Sequence, residues 1–192
     1  MHKRIAVAIA ATAAVAGCGG SSWVDPTSGA FSAQNSADVL AMLSSSMSAV
    51  ATGPGQHAVQ GSNALTSGTT VSCAVSGDVT VTPTSSSGGC DSAGNCNFDG
   101  TVVIALNACK TQTVIGNGSL NVHAWGSETV SGSTVTSLDV REHIEGGIEV
   151  RNAADSSLIG TCGIFLDAHV IYDGTTETVQ VSGWACKQTV AQ

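Results

Sequence analysis

The chain has 192 residues, 42% hydrophobic, 10% charged and 4% aromatic, with a formal net charge of −8. That length fits one domain with a sizeable core, and the acidic balance argues against nucleic acid and anionic lipid headgroups as partners. A surplus of Gly, Ser, Thr and Val over Lys, Glu and Leu favours strands and turns over helices.

Met1, His2, Lys3 and Arg4 form a basic start, followed by an uncharged run from Ile5 to Ala16 that ends in small residues, the pattern of a secretory signal. As a helix this run would reach only about 18 Å, short of the roughly 30 Å hydrocarbon core, so it makes a poor permanent span. Val15-Ala16-Gly17-Cys18 resembles the lipobox of bacterial lipoproteins, with Val15 where leucine is usual. The resemblance covers residues 1–18. It implies a diacylglycerol on the Cys18 thiol, cleavage between Gly17 and Cys18, and acylation of the new amino terminus. With each buried methylene contributing about 0.8 kcal/mol, three acyl chains would hold the protein to a membrane effectively for good. Gly19, standing where aspartate would favour the inner membrane in that family, implies delivery to the outer membrane. Loss of residues 1–17 leaves four cations (Lys110, Arg141, Arg151 and Lys187) against fourteen acids, a net of −10.

Residues 18–35 read as a lipidated flexible tether, and residues 36–192 as one helix-plus-sheet domain. In "SADVLAMLSSSMSAVA", from Ser36, the residues Val39, Leu43, Met47 and Val50 fall near one helical face. Asn35 or Ser36 is available as N-cap, and Gly53-Pro54 as a stop. A loop from Gly53 then leads to the sheet.

Alternation with turn residues predicts strands over 69–82, 99–108, 118–126, 134–145, 147–152, 158–172 and 176–189, with reversals at Ser131-Gly132-Ser133, Glu145-Gly146-Gly147, 152–157 and Asp173-Gly174-Thr175. The expected fold is mainly β: one antiparallel up-and-down sheet, curved as in a half-barrel, with an amphipathic helix on its concave side. At the level of element order this resembles half-barrel lipoproteins and lipoprotein carriers, and also secreted β-rich bacterial lipoproteins, a likeness that carries no activity.

Seven cysteines are an odd number. With Cys18 set aside for acylation, six remain for an oxidising compartment. A three-residue loop at Asp173-Gly174-Thr175 makes Cys162 and Cys186 cross-strand neighbours. A hairpin centred on Asp91 does the same for Cys73 and Cys109, with Val79 opposite Val103. Cys90 and Cys96 then pair within "CDSAGNC". Chain-entropy estimates are about 4, 2 and 3.5 kcal/mol for 73–109, 90–96 and 162–186, in a model whose mechanism is disputed. These spacings do not match zinc-ligand spacing.

Among His57, His123, His143 and His169, the last three lie on predicted strands, and a shared metal would need registers that bring them together; no metal and no cofactor is assigned. "REHIEGGIEVR" puts Arg141, His143 and Glu145 on one side and Val140, Glu142 and Ile144 on the other, which reads as a solvated hairpin face. No zincin motif, nucleophile elbow or phosphate loop is present. The same hairpin register puts Trp184 opposite Ile164 and on one face with Leu166, Val170 and Tyr172, as core or as the lining of an apolar cavity. Two functions follow as expectations. The first is a non-catalytic envelope protein acting through its surface, in assembly or adhesion with an envelope partner. The second is a carrier holding an acyl or other hydrophobic ligand between helix and sheet.

Overall fold

The computed structural model describes residues 25–52, 69–132 and 134–191, with helix side chains described as far as Ser44. Cys18, Trp23, His57 and the Gly53-Pro54 stop lie outside the described residues. A two-residue β1 (Ser28–Gly29) and the helix α1 (Ala33–Thr52) come first. Eight strands follow: β2 (Thr69–Ser72), β3 (Ser76–Cys90), β4 (Asn95–Lys110), β5 (Val114–Ser131), β6 (Thr134–Asn152), β7 (Leu158–Tyr172), β8 (Glu177–Ala185) and β9 (Gln188–Ala191). Each pairs antiparallel with the next, and β1 pairs with β7. The result is the expected single up-and-down sheet with one helix.

The helix starts three residues before the expected Ser36, because Ser32 is its cap. Ser32 Oγ accepts from the Asn35 amide at 3.1 Å, while Asn35 Oδ1 accepts from the Ser32 hydroxyl at 2.7 Å, a reciprocal pair in the manner of a capping box. Val39, Leu40, Met42 and Leu43 are buried in the core with Val79, Ile104, Leu120, Ile148, Ile164 and Val190. Seven strand gaps of about 4.8 Å would make a flat sheet about 34 Å wide, against a helix about 10–12 Å across. One helix cannot cover that width. A single buried cluster running from β3 to β9 therefore requires the sheet to curl around the helix, and it does so without closing, with β2 and β9 as its free edges.

Between the register shifts near their ends, even-numbered residues of β5, β6 and β7 face this interior, and odd-numbered ones face outward. Val122, Ile144 and Leu166 form one inward row across the three strands, and His123, His143 and Asp167 an outward one.

Several registers differ from those expected. The predicted strand 69–82 is the β2/β3 hairpin, with Cys73 in its turn and its amide bonded to the Gly77 carbonyl at 3.1 Å. Glu145-Gly146-Gly147 is no reversal: β6 runs straight through it, and Gly146 (φ 149°) lets the Ser119 carbonyl and Leu120 approach where a Cβ would stand. The Asp173 loop holds four residues, not three. Asp173 accepts from the amides of Thr175 (2.9 Å) and Thr176 (2.8 Å), so Tyr172 opposes Glu177. Val79 likewise opposes Leu106, not Val103.

The disulfides are Cys73–Cys109, Cys90–Cys96 and Cys162–Cys186, and local irregularities place two of them. A bulge after Leu106, with Ala108 at φ 48°, turns Cys109 inward. Cys186 and Lys187 (φ 51° and 67°) form the two-residue turn into β9, which brings Cys186 to Cys162 although the flanking register is one residue off that expected.

The proposed tether is shortened as well. Ser28 and Gly29 add to β7 opposite Thr161 and Gly160, beyond the end of β8. The Thr27 hydroxyl oxygen accepts from the Gly163 amide at 2.8 Å, and Asp25 and Pro26 occupy the space that a side chain on Gly163 would need. The folded part thus begins by Asp25, not at Ser36.

Candidate functional site

The outward face of the sheet centre concentrates the chemistry. "DVREHIE" on β6 alternates so that Asp139, Arg141, His143 and Glu145 point outward while Val140, Glu142 and Ile144 point inward. Across one row lie Thr101, His123, His143, Asp167 and Ser182; across the next lie Asp99, Trp125, Arg141, His169 and Gln180. His123 and His143 are direct cross-strand partners, and His169 is opposite Arg141 one row away.

Each imidazole is held by its own carboxylate. His123 Nε2 donates to Asp99 Oδ1 at 3.0 Å, His143 Nδ1 to Asp167 Oδ1 at 2.7 Å, and His169 Nε2 to Asp139 Oδ1 at 2.8 Å. Glu145 Oε2 stands 3.7 Å from the other nitrogen of His143. These bonds fix each ring's orientation and its protonated nitrogen. The rings in turn fix aromatics: His123 stacks on Trp125 at 4.6 Å, and His143 meets Phe165 edge-on at 4.7 Å. Phe165 lies 5.7 Å from Trp184. The three histidines therefore share a face, but they form three separate couples. Among the described residues, no group of three or more His, Cys, Asp or Glu could hold a metal ion.

Next to these couples is an open groove of about 840 Å³, bordered by Trp125, Arg141, Asp167, His169, Gln180 and Ser182. Its polar walls offer a guanidinium, a carboxylate, an imidazole, an amide and a hydroxyl. Its aromatic wall is the half-buried indole that His123 supports.

Two acids face the other way. Glu128, opposite Cys96 and Leu138, is 3% exposed with no partner for either oxygen, and burial pushes its carboxyl up to about 7. Glu142, between Ala124 and Ala168, is likewise raised by burial and leaves Oε2 without a partner.

The set expected to line a ligand cavity does not hold together. Leu166, Val170 and Tyr172 face inward, whereas Trp184 faces outward opposite Phe165, because the four-residue turn shifts β8 by one residue and a shift of one reverses the face. At the helix, Met42 lies in contact distance of Gly116 on β5, so this part of the interior is packed.

No family model, curated protein or solved structure matches the chain. Among the described residues, no helix is long and apolar enough to cross a membrane. Sequence reading missed Asp99 and Asp139 as histidine partners, Gln180 and Ser182 as groove walls, and Glu128 as a buried acid. Parity was the available signal for Glu128: it is separated by an even number of residues from Leu120 and Val122. The partners of His123 and His169 depend on registers set by turn lengths, and alternation does not specify those.

Proposed function

We propose that the chain is an outer-membrane lipoprotein, acylated at Cys18, that catalyses no reaction and acts by binding an envelope component through the outward face of its sheet. The observation that carries this reading is the groove beside three buttressed histidine–carboxylate couples, because ordered polar and aromatic side chains around a concavity suit recognition. The lipobox supplies the anchor, and three disulfides suit an oxidising compartment. The carrier reading has weaker support: Leu166 and Val170 are 2% and 1% exposed and packed among protein side chains, not open to a ligand. Envelope fractionation tests the anchor. Wild-type protein should sediment with outer membranes and Cys18→Ser should stay soluble; sedimentation of the variant with membranes would overturn the lipidation.

A further inference from the structure

We infer that the outward groove is a binding site for a neutral saccharide chain, an inference that rests on the surface-acting reading above and names its ligand class. Three observations converge on that chemistry.

The first is the wall set. Arg141, Asp167 and Gln180 are planar groups with paired or forked donors and acceptors, the geometry that spans two neighbouring hydroxyls of a sugar ring. The second is Trp125. An indole presents an apolar face with a negative quadrupole, complementary to the C–H face of a pyranose. His123, bonded to Asp99 and stacked on the indole at 4.6 Å, holds it as a pre-formed platform, so little side-chain entropy remains to be lost on binding. The third is charge. The net −8 of the chain repels polyanions, and at the groove Arg141 is set against Asp167 and the buried Glu142, so nothing there selects an anionic ligand. An open groove also admits an internal stretch of a polymer, whereas an enclosed pocket admits only a small molecule or a chain end.

In this site Trp125 carries the stacking, Arg141 and Asp167 carry hydroxyl recognition, and His123 is a positioning residue that acts through Trp125. The test is nondenaturing electrophoresis of the full acylated protein in nonionic detergent, through gels polymerised with laminarin, dextran, mannan or glycol chitin, with alginate as the anionic control. Retardation is expected in at least one neutral gel and not in alginate. Trp125→Ala should weaken it about tenfold or more, while Leu158→Ala, an exposed apolar position outside the groove, leaves it unchanged. His123→Ala should weaken it less than Trp125→Ala and add nothing in the Trp125→Ala background, a non-additivity that general loss of stability would not produce. Unaltered mobility in all four neutral gels, retardation in alginate alone, or retardation insensitive to Trp125→Ala overturns the inference. Native mass spectrometry of the same preparation separates this failure from that of the underlying reading. An apolar ligand released from the interior would overturn the surface-acting reading itself, whereas its absence beside unaltered mobility would overturn only the saccharide assignment.

Discussion

Glu128 gives the sharpest stability prediction. Its side chain lies on the inward face of β5 between Cys96 and Leu138, with neither oxygen partnered, and its carboxyl is raised by burial from 4.5 to about 7. The folded state therefore holds the proton more tightly than the unfolded chain does. Stability is fully present below about pH 4.5, falls as pH rises, and reaches its minimum contribution above about pH 7. A shift of that size is worth about 3 kcal/mol at roughly 1.4 kcal/mol per pH unit. That figure is a ceiling, because Glu128 lies near the β3–β4 hairpin end of the sheet, where water reaching the carboxylate would screen it. Glu128→Gln keeps the shape and removes the titration. In urea unfolding of the oxidised protein, the variant should match wild type within about 1 kcal/mol at pH 4.5 and exceed it by about 1–3 kcal/mol at pH 8. Glu142 titrates in both proteins, so the difference between them isolates Glu128. Parallel pH profiles, or a wild type that gains on the variant between pH 5 and 8, would refute the reasoning.

Three further outcomes follow from packing and staples. Ile148→Ala removes a fully buried side chain from the core and should cost about 2–5 kcal/mol in the same unfolding assay; a loss below 1 kcal/mol would mean the site collapses or the core is looser than described. Replacing Cys162 and Cys186 together by serine should cost about 2–4 kcal/mol, and more than replacing Cys90 and Cys96, since the longer loop loses more closure entropy; the reverse order would contradict that explanation. Gly160→Val puts a side chain where the Ser28 carbonyl lies and should detach β1, seen as faster amide exchange around Ser28–Gly29 and cleavage near it under limited proteolysis, with the β5–β6 amides unchanged.

Element order and the single antiparallel sheet follow from period-two alternation, which a strand needs in order to bury one face. Which face each residue takes was less accessible. Alternation along "REHIEGGIEVR" placed Arg141, His143 and Glu145 together correctly, because parity within one strand needs no knowledge of its neighbours. Trp184 went to the wrong face because its side depended on the Asp173 loop, and one extra loop residue, fixed by the Thr176 amide on the Asp173 carboxylate, reverses the whole of β8. Gly146-Gly147 resembled a turn since glycine pairs usually mark reversals; here they sit inside a strand where the neighbouring backbone comes close. The Cys162–Cys186 pairing was found through a register the protein does not use, rescued by the left-handed turn at Cys186. For the candidate site, sequence supplied the histidines and Trp125 but not their partners, which lie on other strands and meet them only through turn geometry.

The early docking of Asp25 also tightens the link between anchor and site. Seven residue steps from Cys18 to Asp25 span at most about 25 Å fully extended, so an acylated Cys18 keeps the sheet close to the bilayer. Where the outward groove can work thus depends on that one modification. Mass spectrometry of the amino-terminal peptide of protein purified from its host's membranes is the direct measurement. The expected result is a peptide that begins at Cys18 and carries a diacylglyceryl group plus an amide-linked acyl chain. A mature terminus elsewhere, or an unmodified Cys18 thiol, would contradict the anchored, surface-acting protein proposed above.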